Sequence, residues 1–204
     1  MITPLDEQAF YQGLFFLTER DPDLAHILET LGPPPMWQRD PGFATLVHII
    51  LEQQVSLASA QAAFNRLVAA VNPLTPTNLL ILNDAQLKTI GFSRQKTAYV
   101  RYLALAILER RLDLDALSTL DDEAARAELI KLKGIGLWTA DIYLLMALRR
   151  PDVWPRGDLA LILALQKVKK LPNRPTSSEI EVFSAAWQPW RAVAARLLWH
   201  FYLS

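Results

Sequence analysis

Apolar residues recur at three- and four-residue intervals through residues 5–18, 43–53, 56–71, 95–110, 121–132, 137–149, 158–168 and 189–203. That spacing lines one face of an α-helix. No segment alternates apolar and polar side chains as a half-buried strand does, so the pattern predicts an all-α chain. Pro33–Pro35, Pro73 to Pro76, Gly91, Pro151 to Gly157 and Pro172 to Pro175 break the pattern into elements. Asp121 with Glu123 and Ala124, and Ser177 with Glu179 and Ile180, read as helix starts. The triple proline is expected to link an N-terminal helical pair to the bundle that follows. No low-complexity tract or repeat of 20–50 residues interrupts the reading.

The 204 residues suffice for one sizeable core or two small lobes. No run of eighteen apolar residues occurs, and the N-terminus lacks a basic-then-apolar leader pattern. The expectation is a soluble, cytoplasmic protein with no membrane partner. The absence of cysteine excludes disulfides, thiolate metal sites and iron–sulfur ligation. The three histidines, His26, His48 and His200, lack metal-ligand spacing. Formal charge sums to zero, but residues 1–92 hold 4 basic and 9 acidic side chains, and residues 93–204 hold 17 and 12. A basic second half is compatible with one face meeting DNA, and equally with ordinary surface scatter.

Two glycines one residue apart precede a helix in Leu132-Lys-Gly-Ile-Gly-Leu-Trp-Thr-Ala-Asp141. Glycine lets the backbone turn tightly and approach a ligand, and the new helix leaves N–H groups pointing outward. Such a helix start attracts anions, a nucleic-acid phosphate among them. After an apolar helix of about three to four turns, Trp154-Pro-Arg-Gly-Asp-Leu-Ala-Leu161 places a single carboxylate, Asp158, at another helix start. An aspartate there also suits a simple helix cap.

Together these segments resemble the helix-hairpin-helix DNA glycosylases, defined by a hairpin, a Gly/Pro-rich loop and an aspartate. Three further segments carry the resemblance. Phe43-Ala-Thr-Leu-Val-His-Ile-Ile-Leu-Glu-Gln-Gln-Val-Ser56 is similar to the first bundle helix of the alkylated-base members. Ile90-Gly-Phe-Ser-Arg-Gln-Lys-Thr-Ala-Tyr99 is similar to their loop that enters the duplex, and Trp187-Gln-Pro-Trp-Arg191 through Trp199 to their last helix. The nearest subgroup is 3-methyladenine DNA glycosylase II. The resemblance implies two helical lobes with the active site in the cleft between them. Residues 1–40 with 158–204 would form a discontinuous outer lobe, and 41–157 a bundle carrying the helix-hairpin-helix at 132–141.

The resemblance assigns Asp158 the catalytic task of stabilising the positive charge that develops on the sugar. Trp138 and Trp199 match the family's pocket tryptophans, with Tyr143 a third pocket candidate. Core packing is the alternative for each, and the better one for Tyr143, Trp187 and Trp190. Bifunctional members carry a lysine two residues after the second hairpin glycine, where this chain has Trp138. Without that amine the implied activity is hydrolysis alone, with no lyase step.

Backbone N–H groups over Lys133, Gly134, Ile135, Gly136, Leu137 and Trp138 would hold one DNA strand. Lys133 replaces the usual proline and suits either a phosphate contact or plain solvation. Carbonyls of Ile130, Leu132 and Ile135 would hold a monovalent cation, Na⁺ or K⁺; no other cofactor is implied. Either Phe92 or Arg94, flanking Ser93, would wedge into the gap left by a flipped base. Gln53 and Ser56 would probe the minor groove, or cap helix ends.

The resulting expectation is a monomeric, monofunctional glycosylase. It would excise alkylated purines of the 3-methyladenine type from double-stranded DNA by base flipping, in base excision repair, nucleoid-associated when bound. The alternatives are a catalytically silent helix-hairpin-helix protein that recognises damaged or bent DNA, or a glycosylase for ethenoadenine, hypoxanthine or uracil.

Overall fold

A computed structural model describes residues 3–204. Among them the chain forms twelve α-helices and one short 3-10 turn, Ala116–Thr119, with no strand. Most helices begin at a side chain that accepts a backbone N–H: Asp6, Asp21, Ser56, Thr75, Asn83, Ser93, Asp121, Asp158 and Thr176 all do so. Short polar side chains satisfy orphan donors at a helix start better than the helix can itself.

The helices gather into two compact units. One spans Arg39–Ala147; the other joins the segment ending at Gln38 to Leu148–Ser204. The sequence boundary at 157/158 is therefore corrected to 147/148. The reason is local: Leu5 N–H donates to Arg149 O, Ala192 N–H to Pro151 O, and the Arg191 guanidinium grips Asp152. The Trp154 ring also packs 5.5 Å from that of Trp187. Residues 148–157 are thus built into the second unit before its next helix begins.

The first unit holds α3 (Phe43–Glu52), α4 (Leu57–Ala70), α5 (Pro76–Ile81), α6 (Asp84–Ile90), α7 (Arg94–Leu108), α8 (Asp122–Ile130) and α9 (Leu137–Met146). Helix α3 packs against α4, α7 and α9, and its Leu46, Val47, Ile49, Ile50 and Leu51 are buried. A helix apolar around most of its circumference belongs at the centre. Helices α5 and α6, of six and seven residues, are too short to show helical periodicity in the sequence.

Between α8 and α9 the unit buries an ion pair. Arg126 Nε lies 2.6 Å from Asp141 Oδ1, and the two residues are 5% and 0% exposed. It is one of the few charged contacts in an otherwise apolar interface, and it joins the helices on either side of the glycine turn.

In the second unit α12 (Arg191–Leu203) is central, packing on α1 (Glu7–Arg20), α2 (Pro22–Leu31) and α10 (Leu159–Val168). Its residues Ala192 to Trp199 are all buried. Helix α1 approaches closely because position 13 is glycine: a Cβ there would sit 2.9 Å from Trp190 and Val193 atoms. The N-terminal helical pair is thus present, and α11 (Ser177–Ala185) starts at the Thr176 cap with Glu179 completing a capping box.

Asp21 ties this unit together. It caps α2, accepts from Trp187 Nε1 at 2.8 Å and pairs with Lys169 Nζ at 2.6 Å. Burial raises its carboxyl pKa, but the Lys169 and Trp187 hydrogen bonds, the Lys169 charge and the Leu24 N–H outweigh this and hold it below the ordinary value.

Two stability predictions follow from these pairs. Asp141→Asn or Arg126→Met breaks the buried charge pair and costs about 3–5 kcal/mol in urea unfolding; a loss under about 1 kcal/mol would contradict a tightly coupled pair. Asp21→Asn keeps the cap and removes the charge. A depressed carboxyl pKa contributes stability above its unfolded value, about 3.9, and loses it as pH falls through the lower folded value. The wild-type-minus-variant difference in Tm is therefore constant near neutrality and shrinks in acid; a difference that grows in acid contradicts the pairing.

Candidate active site

The hairpin is built from α8, the turn 131–136 and α9. Gly134 has φ +95°, and a Cβ there would meet the Tyr99 ring at 2.2 Å. Both the left-handed backbone and the close approach require glycine. Gly136 precedes α9 without a side-chain cap and faces open space. The N-cap of α9 is thus a residue with no side chain, and the positive end of the helix there is chemically suited to an anion such as phosphate.

Lys133, Gly136 and Leu137 are exposed and Trp138 is half-buried on the first turn. Ile135 is buried and its N–H is taken by Leu132 O at 3.0 Å, so neither its side chain nor its N–H is offered to a ligand.

Gln53 lies at the C-terminus of α3 and reaches the hairpin. Its Nε2 donates to Gly134 O and to Thr139 Oγ1, each at 2.9 Å. This corrects the expectation of a minor-groove probe: the amide is engaged within the unit as a brace. Beside it, Lys96 Nζ donates to Leu51 O at 2.6 Å, and burial pushes the Lys96 ammonium pKa down. A cation at that position satisfies the carbonyl end of α3.

The residues after Gln53 are exposed. Gln54 has φ 57° and Val55 is 46% exposed, which leaves a polar and an apolar side chain at a tip that Gln53 fixes to the hairpin. Neither was singled out in the sequence. Ser56 caps α4 through Ser59 N–H and is exposed.

On the other loop, Phe92 is 3% exposed and belongs to the core, which removes it as a wedge. Its N–H follows the left-handed Gly91 into a bond with Leu87 O, and this turns the ring inward. Ser93 caps α7 and Arg94 is exposed. Tyr143 takes the core position preferred for it in the sequence and not the pocket alternative: it is fully buried, its hydroxyl accepts from Gly42 N–H at 3.0 Å, and burial raises its pKa.

In the second unit, Asp158 is the N-cap of α10. Its Oδ1 accepts from Leu161 N–H at 2.9 Å and from Trp199 Nε1 at 3.3 Å. Cap and candidate catalytic carboxylate are thus the same half-buried group. Trp199, 8% exposed, meets Trp37 edge-to-face, with centroids 6.3 Å apart and planes at 79°. Trp37 is a residue that the sequence reading missed, lying in a loop without periodicity just after the triple proline. Trp187 is buried as a core residue. No helix among the described residues is long and apolar enough to cross a membrane. No group of three or more His, Cys, Asp or Glu among them is arranged to hold a metal ion.

Comparison with known proteins accounts for this pairing of a glycine hairpin and a capped carboxylate. The sequence model of the HhH-GPD superfamily base excision DNA repair proteins matches residues 47–192. The chain is 32% identical to a probable bifunctional transcriptional activator/DNA repair enzyme of Mycobacterium tuberculosis, over 90% of its own length and 40% of that protein's. It is 28% identical to a DNA-3-methyladenine glycosylase of Bacillus subtilis, over 97% of its own length and 66% of that protein's. It therefore spans under half of the first relative and about two thirds of the second. A solved structure of the Schizosaccharomyces pombe 3-methyladenine DNA glycosylase in complex with abasic DNA matches with a TM-score of 0.85 at 25% identity, covering 92% of this chain and 95% of that one. With the family model covering most of the chain and the hairpin and aspartate in its span, this protein belongs to the HhH-GPD superfamily of base excision DNA repair proteins.

Proposed function

We propose that this chain is a monofunctional DNA glycosylase that hydrolyses the N-glycosidic bond of alkylated purines in double-stranded DNA. The observation that carries the reading is Asp158, a carboxylate oriented by one backbone and one indole N–H and followed by aromatic walls suited to a cationic base. As the C–N bond breaks, the base takes the bonding pair and the sugar becomes positive. Water adds to the anomeric carbon and gives up one proton. The Asp158 charge stabilises the sugar during that interval. A methylated purine already carries positive charge, so it leaves readily and is attracted to indole faces.

DNA is held in this reading by the hairpin backbone around Gly134, Gly136, Leu137 and Trp138, with Lys133 near the same strand and Ile135 closing the turn through its own N–H. Arg94 and the Gln54–Val55 tip are the exposed candidates to occupy the space of the flipped base, and Gln53 braces the hairpin behind that tip. Ser93 and Ser56 stand at the exposed starts of their helices. Trp138 supplies no amine, which supports base release without a Schiff base. A monovalent cation would suit the neutral carbonyl oxygens of Ile130, Leu132 and Ile135, and Leu132 O retains a second lone pair beyond its bond from Ile135 N–H. When bound it would add positive charge beside the phosphate. A monomer acting on duplex DNA at the nucleoid completes the reading.

The test is incubation with duplex DNA treated with a methylating agent, with released bases identified by mass spectrometry and the strand examined on a denaturing gel. Release of 3-methyladenine or 7-methylguanine with an alkali-labile but unbroken strand is expected. Binding without release of any base would favour the silent DNA-binding alternative, and direct strand cleavage would contradict the monofunctional reading. Gln53→Ala removes two hairpin bonds, worth about 1 kcal/mol each, and should weaken binding to abasic duplex about five- to tenfold; unchanged affinity would sink the brace.

A further inference from the structure

Trp37 places a bulky side chain on backbone that bulky residues avoid. Its φ of 44° lies in the left-handed region, where such a residue persists only if its surroundings over-determine it. Arg196 supplies that constraint. It lies on α12 with no solvent exposure, and donates from Nε to Met36 O at 2.7 Å and from Nη1 to Ala192 O at 2.9 Å. The peptide plane that accepts at Met36 is the one leading into Trp37, so this bond fixes the angle at which the indole leaves the chain. Burial lowers the Arg196 pKa to about 10, which leaves the guanidinium charged at neutral pH and the bond to Met36 charge-assisted.

The same helix places the second indole. Arg196 and Trp199 are three residues apart and share one side of α12. Trp199 meets Trp37 at close to a right angle and donates to Asp158. Two perpendicular indoles beside the carboxylate make an aromatic corner, and one buried cation sets its opening.

We propose that Trp37 is a base-contacting, specificity-determining residue that forms this corner with Trp199 for a cationic purine, and that Arg196 is the positioning residue that holds Trp37 through the Met36 carbonyl. The inference rests on the base-releasing reading above. A cationic purine gains charge–quadrupole attraction from both rings, whereas a neutral purine gains only stacking. The corner therefore favours methylated bases over hypoxanthine.

The experiment measures single-turnover release of 7-methylguanine and of hypoxanthine from duplex DNA, affinity for abasic duplex, and Tm. Trp37→Gly relaxes the left-handed strain but loses the ring's packing on Trp199, so Tm changes little. Release of 7-methylguanine falls about tenfold or more, hypoxanthine release changes less, and abasic-DNA affinity is kept. Trp37→Phe restores part of the loss. Arg196→Lys lowers 7-methylguanine release in the same pattern, and combining it with Trp37→Gly adds no further loss, because the clamp acts only through the indole.

Full release by Trp37→Gly, or losses that multiply in the double variant, would overturn the proposal. Independently of activity, the Trp37–Trp199 pair should add an exciton contribution to circular dichroism beside that of Trp154 and Trp187. Trp37→Phe should remove that contribution and Arg196→Lys weaken it, at unchanged helix content; an indole-region spectrum unchanged by Trp37→Phe also overturns the pairing. If the wild type releases neither base, the activity reading has failed, and the exciton contribution still decides the corner.

Discussion

The buried pair of Arg126 and Asp141 is the contact on which the glycine hairpin of the first unit depends. Asp141 has no solvent exposure and Arg126 only 5%, so both charges have lost most of their water and are held by ion pairing, Arg126 to Asp141 and also to Glu123. Such a pair adds little net stability over a well-packed apolar contact, yet it penalises any arrangement that separates the partners. Here it locks α8 to α9, and the turn between them then has few ways to close. Gly134 closes it against the Tyr99 ring, and Gln53 ties its carbonyl to α3. The hairpin backbone is therefore held from both sides, by the ion pair between its helices and by the Gln53 amide.

The second unit solves a different problem with similar means. Asp158 must be a carboxylate held in one orientation, and a helix N-cap does that with backbone geometry alone. Trp199 adds an indole N–H to the same oxygen, and Trp37 stands across from Trp199 on strained backbone clamped by Arg196. Strain and a buried cation are both costly, and they converge on one aromatic pair. That convergence is the physical reason for reading the pair as a recognition surface instead of as core. Asp21, with Lys169 and Trp187, stabilises the unit elsewhere and leaves the site's geometry to the α10 and α12 contacts.

The long helices and the two glycines were legible in the sequence because their signals are local: periodicity, caps and backbone freedom. Asp158 was legible for the same reason, since Gly-Asp before an apolar run marks a helix start. Tyr143 was legible as core but not as the partner of Gly42 N–H, which lies 101 residues away. Phe92 was misread because the left-handed Gly91 reverses the direction of the ring. Gln53 was misread because its partners lie 81 and 86 residues away. Arg126 and Arg196 were passed over as ordinary charges, although Asp141 within an apolar helix hinted at a buried partner. The unit boundary moved because contacts from Leu5 and Arg191, far away in sequence, capture residues 148–157.

In the proposed reaction the Asp158 carboxylate supplies charge to the sugar that the base leaves, beyond capping α10. Asparagine caps almost as well as aspartate, so Asp158→Asn separates the two roles. Single-turnover release of 7-methylguanine is predicted to fall by about 10²-fold or more, while Tm and affinity for abasic duplex stay near wild type. Release at close to the wild-type rate would contradict the account and leave Asp158 as a cap alone.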